Sequence, residues 1–365
     1  MLYEIDFLPV GEGEKSGDAI CLRFSEDNGD NWYVGVIDGG TQETGGKICE
    51  HVEKYYETDE IDFLVCSHPD QDHASGLSVV LENLKINKVL MHCPWDYVDY
   101  IFDYVSDGRV TKESLRKRLI EGHPYAYKVY ELAKKENIPI YHAFSDQNDH
   151  NIPYLTIAGP SFNYYLQQLI SFKSITEVTE EVRESALEAL LKAAKKTIKW
   201  ISETWYEETL VDPEDDATSS ENNSSTILHF DFGRKYILFT ADAGVSALNE
   251  ACDFMENNGI LLQNFSMFQV PHHGSKRNIG PTVLDRLIGE KLPQNSQSKF
   301  SAIISAAKNG EPKHPNKRVV NALIRRGAKV VTTQGSTLCH YHGTSGRGWQ
   351  DAVPLPFYDK VEEEE

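Results

Sequence analysis

The sequence predicts an α/β fold, and three observations carry that expectation. Apolar β-rich runs alternate with helix-period runs, several apolar runs end in acidic or imidazole side chains, and no fixed-period repeat interrupts the alternation. At about 150 residues per domain, 365 residues suggest two domains, or one large domain with insertions.

Residues 3–10, 19–24 and 32–37 are rich in β-branched and aromatic side chains and are separated by Gly, Asp and Asn, which predicts a meander. A helix is expected over 47–56, an apolar strand over 61–66, a helix over 76–84 and a strand over 88–92. Residues 94–150 depart from this rhythm, with Tyr, Asp and Lys in excess and helices expected over 111–121 and 125–136. After a strand at 154–158, residues 162–222 read as an insertion. Val178, Val182, Ala186, Leu190, Ala194, Ile198, Ile201 and Trp205 recur at three- and four-residue steps, one face of a long helix that must bury itself on the body, on a partner protein or on a second copy. Residues 212–223 read as a polar loop, and 226–232 with 235–240 as a hairpin turning at Gly233. Strand and helix units follow at 265–270 with 281–288 and at 301–306 with 316–327, and a strand at 329–333 closes the pattern. Residues 1–345 are thus expected to form one domain carrying both insertions, and 346–365 a tail, disordered over 361–365.

Hydrophobic residues at 40% and charged residues at 25% exclude a disordered, collagenous or coiled-coil chain. Thirty-six Lys and Arg against 56 Asp and Glu give a formal charge of −20, which repels nucleic acid and anionic membranes unless positive residues concentrate locally. The first 20 residues are acidic where a secretory signal is basic, and no window approaches the ~20 apolar residues of a membrane span. A cytoplasmic location without membrane contact is the resulting expectation. The six cysteines, Cys21, Cys49, Cys66, Cys93, Cys252 and Cys339, form no CxxC pair and read as reduced, mostly buried side chains.

The chemistry-bearing residues lie just past apolar strands. Ser67-His68-Pro69-Asp70-Gln71-Asp72-His73 places four metal-ligand types in six residues directly after the strand at 61–66. Asp242 follows the strand at 235–240, and His272-His273 follow the strand at 265–270. Three such strand ends converging on one edge would make a metal centre. Asp18 and Asp38 suit turns or the orientation of ligand imidazoles, and Asn222 and Asn223 suit either a reach into the site or a plain loop role. His314 is a candidate general acid or phosphate donor, or a cap before Pro315. Lys276, Arg277, Lys308, Lys313 and Lys317 form the one local excess of positive charge beside these motifs.

At these residues the chain resembles the metallo-β-lactamase superfamily, within it the branch found as the hydrolase domain of ComEC-type competence proteins. The likeness runs through Phe7-Leu8-Pro9-Val10-Gly11, Gly17-Asp18-Ala19-Ile20, Ile37-Asp38-Gly39-Gly40, an HxDxDH form of the metal motif at His68 to His73, and Asn222-Asn223-Ser224-Ser225. It continues through Thr240-Ala241-Asp242, His272-His273-Gly274-Ser275 and His314-Pro315. The likeness covers roughly residues 3–92 and 222–336, and residues 94–150 and 162–222 lie outside it. The resemblance implies an αβ/βα sandwich with helical insertions and a two-metal centre at one edge. By position it implies His68 and Asp70 on one ion, Asp72 and His73 on the other, Asp242 bridging, and His273, or else His272, completing the second site. The superfamily's third imidazole for the first ion is sought at 155–161, where this sequence has no His.

Two divalent cations at such a centre lower the pKa of a shared water to about neutrality and stabilise charge on the attacked atom. Asp70, an oxygen donor, makes the first site hard enough for manganese or iron as readily as zinc. The leading expectation is hydrolysis of phosphodiesters, nucleic acid among them, with Lys276, Arg277 and Lys313 on substrate phosphates, Asp72 and His314 in catalytic roles, and Asp18, Asp38 and Asn223 behind the ligands. Hydrolysis of a lactone or thioester, or a partner-binding role for the helical insertion, are the alternatives.

Overall fold

The opening meander alternates as its burial requires. Tyr3, Ile5 and Phe7 enter one apolar cluster, while Asp6 points to the opposite face beside Cys21 and Cys339 on the neighbouring strands. The computed structural model of the chain describes residues 1–13, 15–105, 110–175, 199–215, 217–310 and 314–363.

Seven strands form the first sheet in the spatial order Leu338–His342, Leu2–Phe7, Ala19–Ser25, Tyr33–Gly39, Phe63–Cys66, Val89–Met91 and Ile140–Tyr141. Six form the second, in the order Ala328–Thr332, Phe300–Ile304, Phe265–Gln269, Tyr236–Phe239, Ile227–Asp231 and Leu155–Gly159. Each sheet is parallel at one side and antiparallel at the other. Between them lies an aromatic core in which Tyr3 stacks on Phe232 and Phe24 meets Phe230 edge to face. Helices Gln42–His51, Leu77–Asn83 and Pro124–Lys135 cover the outer face of the first sheet. Val245–Asn257, Pro281–Ile288 and Lys317–Arg325 cover that of the second, so the layers run helix, sheet, sheet, helix. The parallel runs set the location of the site. Phe63–Cys66, Tyr236–Phe239 and Phe265–Gln269 end at one edge, and the antiparallel Ile227–Asp231 begins there.

Several local expectations need correction. The long apolar stripe falls largely on 176–198, outside the described residues, but its last members are not helical. Ile201 sits in a strand, Trp200–Ser202, paired antiparallel with Lys360–Glu362. That pairing also overturns the disorder expected of the C-terminal end, since Val361 is fully buried. The polar loop ends in a helical turn, Ser220–Asn223, capped by the Ser219 hydroxyl and buried at Glu221, Asn222 and Asn223. Residues 94–150 are not wholly peripheral, because Ile140–Tyr141 joins the first sheet. Val98–Val105 and Phe162–Leu169 lie in the insertions expected at 94–150 and 162–222, though no helix is expected at their own bounds, and none is expected at Val245–Asn257. All six cysteines are free, five of them buried. No helix among the described residues is long and apolar enough to cross a membrane.

Asp6 is an ionised group enclosed by this packing. It accepts from Arg347 Nη1 at 2.6 Å and Nη2 at 2.8 Å and from the Tyr56 hydroxyl at 2.6 Å, with His51 Nε2 at 3.1 Å. Burial alone would raise its pKa, but the hydrogen bonds and charges of His51 and Arg347 prevail and lower it to about 2. A depressed carboxyl stabilises the fold above its unfolded pKa, and that contribution, about 2 kcal/mol, is lost as pH falls from about 4 to about 2. Asp6→Asn should therefore be less stable than the parent at pH 6, with the gap closing near pH 2 in denaturant titrations. A gap independent of pH would show that Asp6 is not ionised in the folded protein.

Candidate metal centre

The strand Phe63–Cys66 delivers Ser67 and His68 to the edge, and the turn Asp38-Gly39-Gly40 locks them in place. Asp38, in the left-handed region at φ 56°, accepts from Ser67 N at 2.8 Å, Ser67 Oγ at 2.6 Å and His73 Nδ1 at 2.8 Å. Gly76 makes the close approach possible, since a Cβ there would stand 1.9 Å from the Gly39 carbonyl oxygen. Asp70 is the N-cap residue of the one-turn helix Gln71–Ala74, which carries Asp72 and His73. Ala241, His272 and His273 also take positive φ, 45°, 45° and 56°. For side chains with a Cβ this costs about 1–2 kcal/mol each, strain of the kind found at functional sites.

These turns bring His68, Asp70, Asp72, His73, Asp242, His272 and His273 around one carboxylate. Asp242 Oδ1 lies 3.4 Å from His73 Nε2 and 4.0 Å from His273 Nε2, and Asp72 Oδ2 is 3.8 Å from the latter nitrogen. Asp242 Oδ2 faces the other way, 3.8 Å from His68 Nε2, which is itself 4.0 Å from Asp70 Oδ2. Oδ2 is also hydrogen-bonded to His272 Nδ1 and accepts from Asn222 Nδ2 at 3.4 Å. The two oxygens of Asp242 therefore face different imidazoles, Oδ1 those of His73 and His273 and Oδ2 those of His68 and His272.

Second partners orient the rings. His68 Nδ1 meets Ser67 Oγ at 3.1 Å, His73 Nδ1 meets Asp38, and His273 Nδ1 donates to the Ser305 carbonyl at 2.8 Å, so each of these rings presents Nε2 inward. Asn222 is held by Ser219 Oγ, which donates to its Oδ1 at 2.9 Å, leaving Nδ2 3.0 Å from His272 Nδ1. Behind Asp242, Gln269 Oε1 accepts from Thr240 N and Ala241 N, and its Nε2 donates to Asp18 Oδ2 at 2.7 Å. Burial raises Asp18 above the ordinary carboxyl value. Burial opposes charge on Asp242 too, but the imidazoles of His272, His73 and His273 outweigh it and hold the carboxyl well below its usual range. Burial likewise disfavours a charged His73, and Asp242 and Asp38 overcome it, raising that ring well above its ordinary value.

Four buried atoms here, Nε2 of His68, His73 and His273 and Oδ1 of Asp242, have no hydrogen-bond partner among the described residues. Each unmade bond costs about 1–3 kcal/mol, and together they approach the whole stability of a domain, about 5–15 kcal/mol. Divalent cations would remove that cost, and neutral imidazoles with carboxylates are the donor set that zinc or manganese takes. The residues present fit a divalent ion.

The remaining predicted residues are distributed unevenly. His314, 7% exposed, stands edge-on to His272 and His273 with ring centroids 5.7 and 6.0 Å away. Asn223 stays off the ligands and holds the turn after Asp242 through Gly244 N at 3.2 Å, whereas its neighbour Asn222 reaches them. Asp18 and Asp38 lie behind His73, at 3.9 and 2.8 Å from its Nδ1. Arg277 is exposed and Lys276 partly so, on the turn after His273. Lys317 is committed elsewhere, 4.5 Å from the Trp200 ring centroid, and Lys313 lies outside the described residues. Residues 155–161 supply nothing to the first ligand group; Ser161 N instead bonds Glu250. The missed contributors are Gln269, Ser305, Ser67 and, in part, Asn222. The one signal for the last was its position just before a strand that pairs with the Asp242 strand.

No family model matches the chain. A stretch of 132 residues, 36% of this chain and 15% of the relative, is 31% identical to ComE operon protein 3 of Bacillus subtilis (strain 168). Among solved structures the chain is similar to unliganded yeast PDE1, with a TM-score of 0.43 and 10% identity over 91% of this chain and 97% of that one. It is also similar to a long form of RNase Z from yeast, with a TM-score of 0.39 and 11% identity over 92% and 41% of the two chains. Metallo-β-lactamase SMB-1 bound to 2-mercaptoethanesulfonate gives a TM-score of 0.29 and 9% identity over 73% and 81%. With two facing sheets between helical layers and the motif residues gathered on the loops of one edge, the chain has an αβ/βα sandwich architecture, and over its 132 matched residues it is similar to ComE operon protein 3.

Proposed function

We propose that this protein is a metal-dependent hydrolase of phosphodiesters, with two divalent ions, zinc or manganese, at the edge of the sandwich. The observation that carries the reading is Asp242, whose Oδ1 faces His73 and His273 and whose Oδ2 faces His68 and His272. His73, His273 and Asp72 would hold one ion, and His68, Asp70 and His272 the other. When bound, the pair supplies an activated water and a counter-charge for the attacked phosphorus. The chain's own residues do the rest. Asp38 and the Ser305 carbonyl fix the ring nitrogens of His73 and His273. Gln269 holds the turn carrying Asp242, and His314, beside both strand-end imidazoles, is placed to donate a proton or a hydrogen bond to a substrate oxygen.

Lys276 and Arg277 support a phosphate-bearing substrate, since they follow the His273 turn in a chain whose net charge of −20 would otherwise repel polyanions. The reading is tested with purified protein loaded with zinc, manganese or magnesium, against single- and double-stranded DNA, RNA, a phosphodiester dye and a lactone. Phosphodiester cleavage is expected. Lactone hydrolysis with every phosphodiester untouched would replace it with the carbon-ester reading, and no turnover of any substrate would favour a partner-binding role. Each charge-assisted contact to phosphate is worth about 1.5–3 kcal/mol, so Lys276→Ala with Arg277→Ala should lower kcat/KM about 10²-fold at low salt. The loss should shrink as salt rises while metal content stays at the parent value. Equal activity in parent and double variant at low salt would remove these two residues from the substrate path.

A further inference from the structure

We propose that the helices Val98–Val105, Lys112–Gly122 and Pro124–Lys135 form a docking platform for single-stranded nucleic acid, away from the metal centre but continuous with it. All three lie within the insertion at 94–150, outside the family likeness. The proposal deepens the phosphodiester reading and rests on it, naming a polymeric substrate and the surface that holds it.

Charge is the first observation. Between 111 and 135 there are seven Lys and Arg against three Glu, a local charge of +4, so the rest of a chain at −20 carries −24. Lys112, Lys117, Lys128, Lys134 and Lys135 are exposed. Lys117 meets Glu121 at 3.5 Å, Lys135 meets Glu136 at 3.1 Å, and Lys134 lies over the Tyr130 ring. Such exposed pairs contribute little to stability, so phosphates can replace their carboxylates. A polyanion repelled by the rest of the surface is drawn to this hairpin.

Exposed aromatic rings beside it favour an unpaired strand. Tyr100 and Tyr104, 58% and 79% exposed, stand one turn apart on Val98–Val105, about 6 Å along the axis. Phe162 packs edge-on against Tyr100 with centroids 5.1 Å apart, so that ring is held in place while more than half of the residue faces solvent. Bases stack on such rings whatever their sequence, and a duplex hides the faces they would offer. Lys112 joins this helix to the cationic one, bonding Asp99 at 2.6 Å with its Nζ 5.6 Å from the Phe102 centroid. Asp103, exposed beside Tyr104, opposes phosphate there.

The hairpin also leads to the candidate ligands. Lys112–Gly122, 11 residues and about 16 Å long, runs from the Asp99 contact to the turn at His123. His123 is buried there, with the carboxylates of Glu221 and Asp70 near enough to favour its charged form. Pro124–Lys135 packs against Gln71–Ala74, the helical turn that carries Asp72 and His73. A strand stacked on Tyr100 and Tyr104 can therefore follow the cations to the metal edge.

The test is fluorescence anisotropy with the purified full chain, with and without metal loading. The probes are labelled oligo(dT) of about 16 nucleotides, its duplex with oligo(dA), heparin and phosphatidylserine vesicles. The single strand should bind about 10-fold or more tightly than the duplex. Tyr100→Ala with Tyr104→Ala should weaken the single strand about 10²-fold, about tenfold per lost stack, and leave heparin binding unchanged. Lys117→Ala, Lys128→Ala and Lys134→Ala together should weaken both and lower the salt slope for the single strand by about 2, at about 0.7 per phosphate contact. Asp103→Asn should tighten the single strand, a gain that misfolding does not mimic, and circular dichroism checks the other variants. In cleavage of the oligonucleotide the tyrosine and lysine variants should raise KM and hold kcat. A duplex bound as tightly as the single strand, or tyrosine variants that bind like the parent, would overturn the platform. Vesicle binding without oligonucleotide binding would also overturn it and make the surface a membrane contact. Oligonucleotide binding as expected with no phosphodiester cleaved would support the platform and overturn the hydrolase reading instead.

Discussion

Asp242→Ala is expected to strip the protein of both ions at once and to abolish hydrolysis. On the proposed reading Asp242 offers one oxygen to each ion, so truncation would remove a donor from both sites, and it leaves His68, His73 and His273 without the carboxylate they face. Loss of metal-derived stabilisation of several kcal/mol corresponds to about 10³-fold or more in kcat. Elemental analysis after desalting should find about two ions in the parent and close to none in the variant, whereas Asp70→Ala should lose one site and retain the other. Circular dichroism distinguishes this from misfolding. A variant that keeps one ion in full would show that the carboxylate serves a single site and does not bridge.

How much of this was legible beforehand depended on the distance in sequence between interacting residues. Strands ending in His or Asp are local patterns, and the strands at 61–66, 235–240 and 265–270 stand close to where the sequence reading has them. The candidate metal-holding residues are equally local, because each lies within seven residues of the end of its strand. What orients those ligands is not local. Gln269 reaches Asp18 across 251 residues, and the Ser67 hydroxyl acts through Asp38. The helix Val245–Asn257 shows a middle case. Its buried Ala247, Leu248, Ala251, Cys252 and Met255 do recur at helical steps, but Ala and Cys make a faint apolar signal beside the Asp242 motif. Asn222 was weighed as a loop residue because Asn is at home in polar turns, and only the antiparallel return of Ile227–Asp231 shows that this turn ends at the site.

The stretch from Trp200 onward was misread for the same reason, and it carries the second large effect. Ile201 and Trp205 continue the helical spacing of the residues before them, yet the chain there is extended against Lys360–Glu362 and is gripped by a helix more than a hundred residues away. Arg325, fully buried, donates through Nε to the Trp205 carbonyl at 2.9 Å, through Nη1 to Glu203 Oε1 at 2.5 Å, and through Nη2 to the carbonyls of Thr204 at 2.5 Å and Glu207 at 3.1 Å. Arg318 holds the Glu362 carbonyl and Arg326 holds Glu208 and Asp285 from the same helical region. Arginines at 318, 325 and 326 would ordinarily mark a solvent face. Here the face is covered, so the pairing energy must offset a large desolvation cost. Arg325→Ala is expected to destabilise the protein by about 3–5 kcal/mol, because Glu203 is left buried without its cation and three carbonyls lose their donor. Denaturant titration measures the loss, and limited proteolysis should then cut within 199–211. Replacing the pair with Glu203→Leu and Arg325→Met should recover the part of the loss that comes from the unpaired Glu203 charge, while the three carbonyls still lack their donor. A loss below about 1 kcal/mol in Arg325→Ala would mean that the segment is held by its strand pairing rather than by the arginines.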